Sequence, residues 1–170
     1  DPQQRLLLER GYEALHAAEC DRGILLGSVT GIFVGVSIFD FETLLRASPL
    51  GATVYAATGS GHSVASGRLA YALGTHGPCL SIDTACSAAL VACHGGMTAI
   101  RCAECGLVLA VGVNLMLSHT FTIRFAVAGM TSPLGRSHTF DNRADGYSRG
   151  EACCGVTLRR SSEECMVMLG

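Results

Sequence analysis

The chain has 170 residues, and its 12 basic and 14 acidic side chains give a formal net charge of −2. This charge excludes a nucleic-acid-binding protein that acts through bulk positive charge. Hydrophobic residues make up 49% of the sequence and charged residues 15%, so the chain can bury a sizeable core. All 12 basic residues are arginines, so catalytic chemistry has to come from cysteine, histidine, serine or carboxylate side chains.

The cysteine content indicates a cellular compartment. The nine cysteines are an odd number and stay below the roughly 8% of residues that is typical of disulfide scaffolds. We therefore expect a reducing compartment and a cytoplasmic protein. The first residues do not show the charged and apolar pattern of a signal peptide, so none is expected, and the most apolar stretch, residues 106–117, is too short to cross a bilayer. The chain begins at Asp1 rather than Met, which we interpret as a partial sequence.

Helices and strands are predicted to alternate along the chain. Asp1 and Pro2 form a helix start, and Leu8, Tyr12 and Leu15 follow at helical spacing. The complete prediction is a helix to about residue 19, a strand at 31–37, a helix at 40–46, a helix at 58–74, a strand at 78–83, a helix at 86–101, a strand at 106–113 and a hairpin of 156–158 with 166–169. This alternation indicates an α/β layered fold.

Cys86 is the candidate nucleophile, because it lies where a predicted strand turns abruptly into a helix. The apolar residues from Cys86 to Ile100 recur at spacings of 4, 3, 4 and 3, which predicts that helix. In such a strand–turn–helix arrangement the side chain stands at the top of a sheet, near unpaired helical N–H groups. Those amides should favour a thiolate and an oxyanion on an attacked carbonyl. Position alone leaves a second interpretation, a buried cysteine that acts as a small hydrophobic residue.

A dense polar cluster near the C-terminus is a second candidate. Asp141, Asp145, Tyr147, Arg149 and Glu151 could include a catalytic carboxylate pair, as in a hydrolase. The alternative is a hydrogen-bonded loop that shapes the floor and wall of a site, and the neighbouring glycines suit such a loop.

The remaining motifs favour structural roles. Cys102 and Cys105 form a CxxC without a second pair at ligand spacing, so no metal site is expected. The glycines of ATGSGHS at 57–63 lack a following GK[ST], so packing is favoured over phosphate binding. A structural or solvated role is expected for all six histidines, His16, His62, His76, His94, His119 and His138.

DTACSAAL at 83–90 resembles the active-site segment of β-ketoacyl synthases, in particular the ketosynthase domains of modular polyketide synthases. The resemblance covers essentially the whole chain, in the order and spacing of that family. It includes DPQQRLLLE at 1–9, GIFVG at 31–35, ATGSGHSVASGRLAYALG at 57–74, AVGVNLML at 110–117, GMTSPLGRSHTFDNRADGYSRGEACCGV at 129–156 and a shortened closing strand at 166–169. The resemblance implies a thiolase-like layered αβαβα fold, with residues 1–170 forming a ketosynthase N-terminal domain truncated at both ends. It also favours the loop interpretation of the polar cluster at 141–151.

The resemblance also implies a chemistry. Cys86 would take an acyl group from the phosphopantetheine arm of an acyl carrier protein. A carbanion made by decarboxylating a malonyl-type extender would then attack the acyl thioester. The carrier protein holds the phosphopantetheine, so no cofactor and no metal are expected on this chain. A homodimer is implied, with the strand before Cys86 near its two-fold axis, and the family's two catalytic histidines and its lysine are expected beyond Gly170.

Two alternatives stay open. One is a non-catalytic ketosynthase-like protein that acts as a scaffold or sets chain length, but such proteins lose the nucleophile that Cys86 provides. The other is a fatty-acid-type condensing enzyme, which would differ in its substrate, and DPQQRLLLE and DTACSAAL look more like the polyketide branch. Neither a nucleic acid nor a membrane is expected as a partner.

Overall fold

One mixed five-stranded sheet organises the fold, in the order β2-β1-β3-β4-β5. It is seen in a computed structural model that describes residues 1–38, 40–160 and 165–169 and, of residues 50, 52 and 165–169, only the backbone. The strands are β1 Thr30–Gly35, β2 Cys79–Ile82, β3 Leu107–Asn114, β4 Ala152–Arg160 and β5 Cys165–Leu169. The helices are α1 Pro2–Ala17, α2 Arg22–Leu25, α3 Asp40–Arg46, α4 Ala56–Ser60, α5 His62–Leu73, α6 Ala88–Arg101 and α7 His119–Val127.

Strand direction places the ends of three strands together. β1 pairs in parallel with both β2 and β3, whereas β4 runs antiparallel to β3 and β5 antiparallel to β4. The carboxyl ends of β1, β2 and β3 therefore meet at one edge of the sheet, where ligands bind in open parallel sheets. The predicted hairpin is confirmed, and its first strand is longer than expected.

Alternate residues of the central strands divide the core into two layers. Ile32 and Val34 of β1 pack with α1 and α5 on one face, whereas Phe33 packs with α6 on the other. All six residues of β1 are buried, as predicted for a strand covered on both faces. The described elements thus form three layers, helices, sheet and helix, and the α/β layered prediction is confirmed.

Helix α1 begins at the predicted residues. The carboxylate of Asp1 accepts from the N–H of Gln3 at 2.8 Å, and Pro2 occupies the first turn. The predicted buried face is wrong in part, because Tyr12 is 49% exposed. Leu7 and Gly11 are buried on that face instead, and Gly11 lets α1 lie close to α5. The buried face was predicted from large apolar residues, and such a pattern does not include a small residue like Gly11 at a close helix contact.

The sequence predicted one helix between residues 58 and 74, and the structure has two, α4 and α5. Gly61, with φ −68° and ψ 127°, is extended and separates α4 from α5. Gly74 ends α5 in the left-handed region with φ 72°, as a helix C-cap glycine does. The short helix α2 and helix α7 were not predicted, and no residue of α7 is buried.

The face of α6 that meets the sheet consists mainly of small residues. Ala88, Ala92, Gly96 and Ala99 are buried, with Ile100 as the one large buried residue in this helix. Of the apolar residues at the predicted spacing, Ile100 is buried, Cys93 and Met97 are partly buried against the core, and Leu90 is 74% exposed. The helix was thus predicted correctly, and its buried side was predicted correctly except near its start.

Two glycines allow the first turn of α6 to touch the sheet. A Cβ atom at Gly35, the last residue of β1, would lie 2.5 Å from the backbone N of Ala89. A Cβ atom at Gly112, which pairs with Gly35 across β1 and β3, would lie 2.5 Å from the Cβ of Ala89. Neither contact leaves room for a methyl group, so these positions fix the height of α6 above the sheet.

Gly35→Ala is expected to destabilise the protein, because the clash is with helix backbone that cannot rotate away. We expect a loss of about 1–3 kcal/mol in the free energy of unfolding, measured by urea denaturation. Gly67→Ala is the matched control, since Gly67 lies within α5 and nothing would meet its Cβ within 4 Å. That control should gain about 0.5–1 kcal/mol from helix propensity. Equal stability of Gly35→Ala and the wild type would contradict the close contact.

Candidate active site

Cys86 lies in a tight turn between β2 and α6. Asp83 follows β2, and its Oδ1 accepts from the N–H of Ala85 at 3.0 Å. The hydroxyl of Ser87 donates to the carbonyl of Thr84 at 2.9 Å. A 3₁₀ turn covers Ala85–Ser87, so the α-helix begins at Ala88, two residues later than predicted. The strand–turn–helix arrangement itself is as predicted.

The turn is sharp because Ala85 adopts a left-handed backbone with φ 52°. This conformation is unfavourable by roughly 1–2 kcal/mol for any residue with a Cβ atom, and alanine is the smallest such residue. The hydrogen bond from Ala85 to Asp83 helps hold it there. The side chain of Cys86 is consequently exposed at the carboxyl edge of the sheet. The interpretation of Cys86 as a buried hydrophobic residue is therefore wrong.

The backbone amides around Cys86 differ from the prediction. The N–H of Ser87 donates to the carbonyl of Thr84 at 3.3 Å, and the N–H of Ala88 donates to that of Ala85. These two amides are therefore used within the 3₁₀ turn rather than left unpaired. Within the described part of the chain, the N–H of Cys86 itself has no hydrogen-bond partner. The amide available to a carbonyl oxygen at this turn is thus that of the candidate nucleophile.

Four other cysteines are less exposed to solvent than Cys86. Cys20 and Cys105 are buried, and Cys93 and Cys153 are half-buried. Burial raises the pKa of the Cys93 and Cys105 thiols, and burial raises the pKa of Cys153 to about 11. These three groups are therefore neutral thiols near neutral pH. Cys79, Cys102 and Cys154 are exposed like Cys86 but lie outside its turn.

His62 lies near the turn, close enough for Asp83 to act on its charge. His62 begins α5, is half-buried and contacts the carbonyl of Ile38 at 3.4 Å through Nε2. Burial lowers the pKa of His62, while Ile38 and the carboxylates of Asp83 and Glu42 act in the opposite direction. His62 is thus a half-buried group near the carboxylate that supports the turn. From the sequence, only a structural or solvated role was expected for it.

The polar cluster forms a hydrogen-bonded loop, as favoured. Asp141 pairs with Arg143 at 2.7 Å, which holds the pKa of that carboxyl below its usual value. Glu151 accepts from the N–H of Met116 at 2.7 Å, at the other end of the cluster. The backbone of Tyr147 bonds to the segment around Thr131. Asp141 and Glu151 thus support separate pieces of chain.

Two buried glutamines tie down the loops at this edge of the sheet. Gln3 donates to the carbonyl of Ile38 at 3.1 Å and accepts from the N–H of Leu115 at 3.0 Å, which joins the loops after β1 and β3. Gln4 donates to the carbonyls of Thr58 and Gly61. In the sequence, these residues contributed only to the family resemblance. Their role depends on contacts that are distant in sequence.

The CxxC cysteines do not act together, since Cys102 is exposed and Cys105 is buried. Among the residues that the structure describes, no group of three histidine, cysteine or acidic side chains is arranged to hold a metal ion. Nor does any described helix combine the length and apolarity that crossing a membrane requires.

The fold and the turn define an α/β protein that exposes a cysteine at the carboxyl edge of a mixed sheet. Residues 1–164 match the family model described as "Beta-ketoacyl synthase, N-terminal domain". The chain belongs to this family, as the resemblance implied.

Similar proteins and structures agree with this assignment. Polyketide synthase GfsB of Streptomyces halstedii is 44% identical over 163 residues, which are 96% of this chain and 3% of that protein. Lovastatin nonaketide synthase mokA of Monascus pilosus is 42% identical over 163 residues, 96% of this chain and 5% of that protein. The ketosynthase from module 6 of the bacillaene synthase of Bacillus subtilis 168 superposes with a TM-score of 0.85 at 32% identity, covering 94% of this chain and 27% of that one. The chain spans less than a third of each of these proteins, and its layered fold is that of a ketosynthase.

Exposure and burial predict an order of alkylation. At pH 8, iodoacetamide should modify Cys86 before Cys93, Cys105 and Cys153, because burial keeps those three thiols neutral and shielded. Cys153 should become reactive only as the pH approaches its raised pKa of about 11. Peptide mass mapping of a time course measures the order. Equal rates at Cys86 and Cys153 in the folded protein at pH 8 would contradict the structure.

Proposed function

We propose that this chain provides the nucleophile of a polyketide-type β-ketoacyl synthase, which forms a carbon–carbon bond by decarboxylative Claisen condensation. The observation that carries the proposal is the exposed thiol of Cys86 at a strand–turn–helix junction, in a member of the β-ketoacyl synthase family. Identities of 41–45% to polyketide synthases favour the polyketide branch over a fatty-acid-type enzyme.

The first step is acyl transfer. The thiolate of Cys86 attacks the carbonyl carbon of an acyl thioester, and the tetrahedral intermediate carries a negative charge on its oxygen. The free N–H of Cys86 can donate to that oxygen, and the N-terminal end of α6 favours the charge. Collapse of the intermediate leaves the acyl group on Sγ and releases the donor thiolate, which takes up a proton.

The second step joins two carbon units. Decarboxylation of a malonyl-type thioester yields carbon dioxide and a carbanion, and the carbanion attacks the acyl group on Cys86. The Cys86 thiolate then leaves, and the β-ketoacyl product stays on its carrier. An acyl carrier protein is the partner that we propose for both thioesters. We propose this second step for the whole protein, of which this chain is a part.

A homodimer is proposed from the position of β2. Within the described sheet β2 is an edge strand that pairs with β1 alone, and Leu80 on this strand is 45% exposed. An edge strand with exposed apolar side chains can pair with a second copy of itself.

Leu80→Arg is expected to weaken such a dimer, because two copies would place like charges close together across the axis. Sedimentation velocity should show a rise in the dimer dissociation constant of at least about tenfold. Ile24→Arg is the control, since Ile24 is 55% exposed and belongs to α2 rather than to β2. A dimer that Leu80→Arg leaves unchanged would contradict pairing through β2.

Acylation of Cys86 tests the catalytic proposal. Incubation with an acyl N-acetylcysteamine thioester should add one acyl group to the wild type, seen by intact-mass spectrometry. Cys86→Ala should lose that adduct. Cys102→Ala should keep it, because Cys102 is an exposed cysteine at the opposite end of the same helix. A folded protein without the adduct would favour the non-catalytic scaffold. An adduct spread over the exposed cysteines would show that the turn does not activate Cys86.

A further inference from the structure

Ala85, the residue before Cys86, has a backbone conformation that its surroundings must enforce. Its φ of 52° is left-handed, which is unfavourable for any residue with a Cβ atom. Glu19 and Ala103 also have a positive φ, but they follow the ends of α1 and α6, where a left-handed residue commonly ends a helix. Ala85 precedes a helix instead, so the usual reason for this conformation does not apply to it.

The side chain of Asp83 provides a constraint on Ala85. Its Oδ1 accepts from the N–H of Ala85 at 3.0 Å, a bond from a side chain to the backbone two residues on. Within the described part of the chain, no other side chain bonds to the backbone of Ala85. The hydroxyl of Ser87 bonds to Thr84 instead. Asp83 is thus placed to hold the strained residue in its turn.

The backbone of Ala85 in turn sets the direction of the N–H of Cys86. This N–H lies in the rigid peptide plane that joins the two residues, so rotation at Ala85 turns the plane as a unit. Among the described residues, the N–H of Cys86 has no hydrogen-bond partner that would hold its direction. A relaxation of Ala85 to a negative φ would therefore point this amide elsewhere.

The charge of Asp83 offers a competing explanation for this residue. The carboxylate raises the pKa of the half-buried His62, against the larger effect of burial. A negative charge in the turn does not favour a thiolate there, so it gives the nucleophile no direct help. The two explanations differ in what they require. Holding Ala85 requires an oxygen acceptor at the right reach, whereas acting on His62 requires the charge.

We propose that Asp83 is a positioning residue for acyl transfer, which holds Ala85 in its left-handed backbone and so aims the N–H of Cys86 at the thioester carbonyl oxygen. This inference rests on the proposed function. The amide acts on the oxyanion, which forms during acyl transfer. Iodoacetamide also reacts with the thiol, but the sulfur displaces iodide and no oxyanion forms. Acylation of Cys86 should therefore depend on Asp83, and its alkylation should not.

Rates of acylation by an acyl N-acetylcysteamine thioester, followed by intact-mass spectrometry, test the proposal. Asp83→Ala should lower the maximal rate about tenfold and leave the half-saturating donor concentration within about twofold of the wild type. Asp83→Asn should keep the wild-type rate, because its amide oxygen can accept the same bond. Asp83→Glu keeps the charge but shifts the acceptor, so its rate should fall as in Asp83→Ala. Asp21→Ala is the control, since exposed Asp21 accepts from the N–H of Ile24 in a different turn.

A substitution at Ala85 tests whether Asp83 acts through this backbone. Glycine adopts a positive φ without strain, so an Ala85→Gly protein has less need of the bond from Asp83. In that background the effect of Asp83→Ala should shrink to less than about threefold. An undiminished effect would overturn the proposal, because Asp83 would then act by another route. Equal loss of rate in Asp83→Asn and Asp83→Ala would also overturn it, in favour of the charge.

Alkylation of the same variants separates positioning from folding. Peptide mass mapping should show Cys86 of Asp83→Ala modified by iodoacetamide at the wild-type rate, and an equal loss in both reactions would overturn the proposal. If Asp83→Ala does not fold, Asp83→Glu and Asp83→Asn make the same comparison.

Failure of the proposed function has a different signature. Absence of acylation in the wild type would count against that function. The crystal structure of Asp83→Ala would still test the constraint on the turn, because Ala85 should leave the left-handed region once the bond is gone. An Ala85 that keeps φ near 52° in this variant would overturn the inference.

Discussion

The contact between the first turn of α6 and the ends of β1 and β3 sets the geometry of this protein. Gly35 and Gly112 have no side chains, so the backbone of Ala89 can rest directly on the sheet. The 3₁₀ turn before it must then reverse the chain within three residues, and Ala85 takes a left-handed backbone to do so. The exposure of Cys86 and the freedom of its N–H follow from that reversal.

The loops at the same edge are tied to one another by buried polar groups. Gln3 bridges the loops after β1 and β3, and Asp40, which is fully buried, accepts from the N–H of Ser118 at the start of α7. Buried hydrogen bonds of this kind are costly to break, because the freed groups would stay away from water.

Much of the fold could be predicted because its strands and longer helices follow simple patterns. The run at β1 is apolar throughout since both of its faces are covered, and Asp1 and Pro2 mark the start of α1. The turn at Cys86 was predicted from the change of periodicity and from the family resemblance. These features are local, and local sequence encodes them.

The errors come from contacts that are distant in sequence. The buried side of α6 was misplaced only near its start, where the backbone of Ala88 and Ala89 meets Gly35 and Leu90 is exposed. Helix α7 was not predicted, and none of its residues is buried. The unpaired amides were expected on the helix, yet the 3₁₀ turn uses those of Ser87 and Ala88 and leaves that of Cys86. Which amide stays free depends on the backbone of Ala85.

A crystal structure of the acylated protein tests the central claim most directly. We predict an acyl thioester on Sγ of Cys86, with its carbonyl oxygen about 3 Å from the backbone N of the same residue. If the carbonyl oxygen of an acyl group on Cys86 points away from that N–H, the proposal that this amide stabilises the negative charge on the oxygen is wrong. An acyl group on another cysteine would contradict the assignment of the nucleophile.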